Sequence, residues 1–286
     1  MRATKRPVRQ EYQVAIDERI PRYLPFSGSP NRKKGWSLYK DLGEGGYCRA
    51  VACETINITD IISLLGMVKG FQDFPAKVKK SDVEFGGEII RMASLSMKLN
   101  EFLRRYIKHH NKQEVINTLT RLLTYKVIWQ GQNVDGKKGA LNITHFLRDF
   151  KISAAESEIT FLITEGLLNY CHSNGWLINF EKIHKLKSNT AQILALHFSI
   201  QKGGQYRQET LEVAADLHSA STDNRKILKK ALLELQAGHF IGEYTIVKDR
   251  KGYQYTIEHC PEHSQIQTKA LPDEKPKVTT TKDKNG

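Results

Sequence analysis

Between residues 189 and 262 the alternation of apolar and polar positions changes period three times. Residues 189–201 carry Ile193, Leu194, Leu196, Phe198 and Ile200 with few polar gaps, the spacing of a helix buried on most sides. Lys202, Gly203 and Gly204 stop it. A second helix is expected over 208–217, with Leu211, Val213, Ala214 and Leu217 apolar. The polar turn 218–223 offers hydroxyl and carboxylate caps for a third helix over 224–236, which Gly238 ends. Residues 240–247 and 253–258 then read as two strands around a basic turn. Helix, helix, turn, helix, hairpin is the order of a winged helix.

The third helix of that series suggests what the unit holds. At about 100° per residue, Ile227, Leu228, Ala231, Leu232 and Leu235 share one face. Lys226, Lys229 and Lys230 cluster opposite, with Arg225 and Asn224 near the two boundaries. Lys248, Arg250 and Lys251 sit at the hairpin turn. A recognition helix lies in the major groove and a wing reaches the neighbouring backbone, so both need cationic or hydrogen-bonding side chains. These eight residues are the candidate DNA contacts of this unit. A merely solvated helix face would also display such lysines.

Residues 47–152 repeat the plan. A capped helix from Thr59 carries Ile61, Ile62, Leu65 and Val68, and a further helix is expected over 87–97 with Ile89, Ile90 and Met92 apolar. Residues 99–110 read as a basic helix (Arg104, Arg105, Lys108). The helix over 112–124 turns Val115, Ile116, Leu119 and Leu123 inward and Lys112, Gln113, Asn117, Thr120 and Arg121 outward. A strand over 125–129, a turn and an extended stretch over 140–147 close the unit. That turn, from Gly131, nearly spells a phosphate-binding loop, but Lys138 stands where Ser or Thr must hold magnesium, and no helix follows. A hairpin tip with Lys137 and Lys138 on a DNA backbone fits better.

Residues 158–164 read as a strand leading towards the final unit. The expected class is α+β, mainly helical: two tandem winged-helix domains (46–155 and 156–265) with a basic N-terminal arm (1–45) and a disordered C-terminal tail (266–286). Proline at positions 7, 21, 25 and 30 breaks any long helix in the arm, although Tyr23, Leu24, Phe26, Trp36 and Leu38 are worth burying.

Charge sharpens this picture. The 286 residues carry a net charge of +13, and the pI is near 9.5. The excess is spread along the chain, which suits a polyanion and predicts binding that weakens steeply with salt. No apolar run reaches membrane-spanning length, so a membrane partner is not expected. Cys48, Cys53, Cys171 and Cys260 are scattered as in a reducing cytosol, and a cytoplasmic protein is expected. Cys260 with His259 and His263 lacks the matching pair of a zinc finger. No nucleophile elbow, metalloprotease or dinucleotide fingerprint occurs, so neither metal, cofactor nor enzymatic activity is expected.

The chain resembles the plasmid replication initiators of the TrfA-like family. Residues 180–191, with an aromatic-to-Lys-Leu approach to the first helix of the last unit, carry the likeness. So do 208–211, 219–223 and 232–241, with a weaker echo in 29–39. The arm has no Gln-Leu-x-Leu-Phe sliding-clamp motif; Tyr23-Leu-Pro-Phe26 stands nearest. The resemblance implies a protein that binds directly repeated origin DNA (iterons), helps open adjacent AT-rich duplex and recruits the host helicase and initiator. It also implies exchange between DNA-binding monomers and a homodimer formed through the first winged helix. A winged-helix transcriptional repressor would use the same DNA contacts, and a protein-interaction scaffold would use the fold without DNA.

Overall fold

A computed structural model describes residues 13–17, 26–27, 33–43, 46–85, 88–107, 111–130, 141–155, 157–165, 167–168, 175–200 and 203–260. Strand β1 (Gln13–Asp17) comes first, followed by the hairpin β2 (Lys34–Gly43) and β3 (Gly46–Glu54). Helix α1 (Ile58–Asp73) follows, then a second hairpin of β4 (Lys79–Phe85) and β5 (Glu88–Lys98). Helices α2 (Leu99–Tyr106) and α3 (Lys112–Thr124) lead into β6 (Lys126–Gln130) and β7 (Leu141–His145). Next come β8 (Asp149–Ile152), β9 (Glu158–Thr164), β10 (Gly175–Asn179) and the short helix α4 (Phe180–Lys185). The last unit is α5 (Asn189–Ile200), β11 (Gly204–Arg207), α6 (Gln208–Ala214), α7 (Ser221–Ala237), β12 (Ile241–Asp249) and β13 (Gly252–His259).

With thirteen strands beside seven α-helices among the described residues, the fold is α+β but not mainly helical. Two sequence expectations account for the difference. The helix expected over 87–97 is strand β5, paired with β4 on one side and β9 on the other. Its Leu95 and Met97 point into the core while Ser96 and Lys98 face out, a period of two rather than 3.6. Within the stretch read as an arm, Lys34–Gly43 pairs antiparallel with β3, and Trp36 packs 6.5 Å from the Tyr125 ring. Likewise β1 pairs with β10, and Ser27 bonds Ile56 through its backbone and Asp216 through its hydroxyl. The expected tail lies outside the described residues.

Helix α1 is the hub. Asn57 caps it by accepting from the Thr59 and Asp60 amides, and the Asp60 carboxylate returns to the Asn57 amide at 3.0 Å, a reciprocal cap. The helix is buried almost all round because it packs against α2, α3, α4, α5 and β1. Gly66 makes the crossing with α2 possible: a Cβ there would lie 2.2 Å from the Tyr106 carbonyl oxygen. Gly66→Ala should therefore lower the unfolding free energy by at least about 2 kcal/mol, measured by urea titration. Because α1 also packs against α5, one continuous core runs from Val14 through both units to Ile257.

The strands fall into four groups. Sheet β2-β3-β6-β7 backs α3, and sheet β4-β5-β9-β8 packs on α2. The ribbon β1-β10 leads into α4, and the sheet β11-β13-β12 closes the last unit. The last unit thus has the expected winged-helix order with one addition. Strand β11 pairs with β13 and makes the wing sheet three-stranded.

Candidate nucleic-acid interface

Helix α7 lies with Leu228, Ala231, Leu232 and Leu235 buried against α5, as its 3.6-residue period predicts. Ile227 belongs to the rim instead, at 37% exposure. The helix starts at Ser221, and the tie that fixes its start comes from a neighbouring helix. The buried Gln208 donates through Nε2 to the Ser221 carbonyl and hydroxyl, each at 2.9 Å, and to Glu212 at 2.6 Å. Asn224 is part of the same anchorage. It is buried and donates through Nδ2 to the Ser219 carbonyl at 3.0 Å, so it is not available as the DNA contact expected at the boundary of the cationic face. Lys226, Lys229 and Lys230 are all exposed there, Lys226 standing 3.4 Å from Asp223.

The wing folds back towards the start of this helix. Gly252 closes its turn at φ 115°, a region that side chains beyond Cα resist. Asp249 organises the turn, accepting from Arg207 Nη1 at 2.7 Å and from the Lys251 amide at 2.8 Å. The Arg207 hydrogen bond, then that amide, hold the Asp249 carboxyl below the usual carboxylate range. A depressed folded pKa stabilises the turn fully above the unfolded carboxylate value of about 3.9, and the contribution is lost as pH falls through the folded pKa. Arg207→Gln should move the Asp249 midpoint, read by carboxyl-carbon NMR, back up towards that unfolded value. Lys248, Arg250 and Lys251 are exposed at the tip.

The start of the helix and the wing turn meet at the Tyr253 ring. The Arg225 guanidinium lies 4.3 Å above the Tyr253 ring, and Lys248 Nζ stands 5.8 Å from the same ring. Arg225 is therefore turned towards the wing rather than straight outward. Such a stack is worth about 0.5–1 kcal/mol at an exposed site. Tyr253→Leu should weaken duplex binding by about three- to five-fold while leaving the salt slope unchanged, because no phosphate contact is removed. Anisotropy titrations at several salt concentrations measure both quantities.

The first unit presents less charge. Arg121 is a correction: it is 4% exposed and faces the hub. Its Nε and Nη2 reach Asp60 Oδ1 at 3.1 and 2.9 Å, Nη2 also donates to Thr118 at 2.9 Å, and Glu54 lies 3.6 Å away. Gln113 and Thr120 are exposed, Lys112 and Asn117 half-buried. Gln113 donates to Asn117 at 3.1 Å, and the Thr120 hydroxyl donates to the Ile116 carbonyl at 2.8 Å. The outward face of α3 is thus polar, and its charges, Lys112 and Glu114, are of opposite sign. Lys137 and Lys138 lie outside the described residues.

Sequence reasoning missed Arg207 and Tyr253. A tyrosine directly after the turn glycine was the available signal for the second; the first belongs to a strand that the pattern did not reveal. Among the described residues no helix is long and apolar enough to cross a membrane.

No protein-family model matches the chain, and comparison with curated proteins finds no match. Solved structures do match. One crystal structure of domains 2 and 3 of RctB superposes with a TM-score of 0.58 at 10% identity. It covers 87% of this chain and 99% of that one. A second, of the same two domains, gives 0.55 at 12% identity, covering 86% and 99%. These matches do not carry the TrfA-like resemblance. What they show is coarser: the chain shares the fold of RctB domains 2 and 3.

Proposed function

We propose that this protein is a DNA-binding replication initiator whose main grip on duplex is the last winged helix. The observation that carries the reading is the outward face of α7, with Lys226, Lys229 and Lys230, joined to the wing lysines and arginine through the Arg225–Tyr253 stack. Helix and wing then present cations to a groove and to the adjoining backbone. A net charge of +13 supports the same polyanionic partner, and the likeness to RctB, a replication initiator, is what suggests initiation as the use of that binding.

The first winged helix adds a weaker, largely uncharged contact through Gln113, Asn117 and Thr120. In this reading the two units engage directly repeated origin sites, and the protein acts by binding rather than catalysis, in the bacterial cytoplasm. Opening of the origin, recruitment of the host helicase and initiator, and dimer exchange through the first unit complete the proposal. The test is a plasmid that carries the gene with its flanking DNA and no other origin. Stable maintenance that disappears when the flanking repeats are removed is the expected result. A plasmid that never replicates while the protein still represses a reporter behind those repeats would assign the same contacts to a transcriptional regulator.

A further inference from the structure

At the far end of α7 from the wing lies a groove of about 780 Å³ between that helix, α4 and residues 186–188. Its rim carries Lys182, Lys185, Lys187 and Lys230, and its floor is more apolar than polar, with Leu186 and Ala237 among the lining. The one carboxylate in it, Glu234, is turned inward. It accepts from the backbone amides of Lys187 and Ser188, tying down the chain that enters α5. Lys185 and Lys187 are exposed on the rim, so positive charge outweighs the carboxylate among the lining residues. His239 also lines the groove, held at φ 55°, a conformation that costs a residue with a side chain.

Lys230 also belongs to the duplex-facing row of α7 and so marks the border of the groove, whose own exposed cations are Lys185 and Lys187. Arg225 stacks on Tyr253 at the wing end, and Ala237 is twelve residues further on, about 18 Å along the helix at 1.5 Å per residue. A charged rim over an apolar floor at that remove fits a protein segment better than a phosphate backbone, which has no apolar side chain to bury. We propose that this groove docks an acidic amphipathic segment of a partner protein, its carboxylates on Lys185 and Lys187 and an apolar side chain on the floor, while duplex occupies the Lys226–Lys229–Lys230 row and the wing. This goes beyond the DNA-binding reading and stands or falls separately from it.

The test uses the full chain and a fluorescein-labelled helical peptide of about fourteen residues, with glutamates on one face and leucines on the other. Anisotropy should show binding that persists when random duplex is added to saturation. Lys185→Glu with Lys187→Glu should weaken the peptide by about ten-fold and the duplex by less than about two-fold. Ala237→Trp, which fills the groove and leaves the rim charges in place, should weaken the peptide by at least about five-fold. Circular dichroism and thermal midpoints confirm that the variants fold. Absence of binding, displacement by duplex, unchanged affinity in the variants, or equal binding of a peptide with serine in place of leucine would each overturn the proposal.

Discussion

Replacing Lys226, Lys229 and Lys230 together by alanine should cost a few hundred-fold in duplex affinity at about 0.1 M salt. Each lysine on a phosphate releases counterions and contributes about −0.9 to the slope of log K against log salt, so three contacts account for about −2.7. Extrapolated from about 1 M, where that contribution vanishes, the same three contacts are worth about 2.7 decades at 0.1 M. The slope should flatten by the same amount. Lys79, Lys98 and Lys151, exposed on strands β4, β5 and β8, supply the control. Their triple alanine variant removes equal net charge, yet should change affinity by less than about three-fold, since diffuse charge beyond a Debye length is largely screened. Equal losses in both variants would mean that total charge, not the α7 face, governs binding.

Arg121→Leu should destabilise the fold by about 3–5 kcal/mol, the range for removing one partner of a buried ion pair. Asp60 is fully buried, and the 2.9 Å contact from Arg121 offsets the cost of burying its charge. Asp60 also closes the cap of α1, the helix on which both units rest. Adding Asp60→Asn to Arg121→Leu should recover part of the loss, because the neutral amide can still accept from Asn57 and leaves no buried charge. Urea titration of the three variants measures this. An exposed DNA-contacting arginine would instead show a change within about 0.5 kcal/mol and a large loss of duplex affinity.

Arg121 also marks where sequence periodicity stops being informative. The apolar positions of α3 leave Arg121 on its polar side, yet Thr118 and Arg121 are both buried, and the partner that holds Arg121 there lies 61 residues away in sequence. Asn224 was misplaced for a related reason: it sits in the first turn of α7, where free backbone groups of the preceding turn, here the Ser219 carbonyl, compete for it. By contrast, the buried stripe of α7 and the hairpin behind it were legible because period and turn glycines were both local. Strand β11 was not, since its four residues are half-buried or exposed without clear alternation. Strand β5 was misread because the Ile89-Ile90 pair suits a helix as well as a strand, and pairing with β4 and β9 decides between them. Within residues 1–45, Trp36 and Leu38 stand out as worth burying, but the pairing partner β3 that makes this stretch a strand cannot be read from the stretch itself.

The most direct measurement is hydroxyl-radical footprinting of the full chain on the DNA flanking its gene. Gripping by the last winged helix, with the first unit alongside, predicts protected sugars confined to one face of the duplex across about two successive helical turns, repeated at each direct repeat. The α7 triple alanine variant should lose protection in one of those turns first. Uniform protection along any DNA of the same length, or a footprint that the α7 variant leaves intact, would contradict the proposal that this helix is the reader.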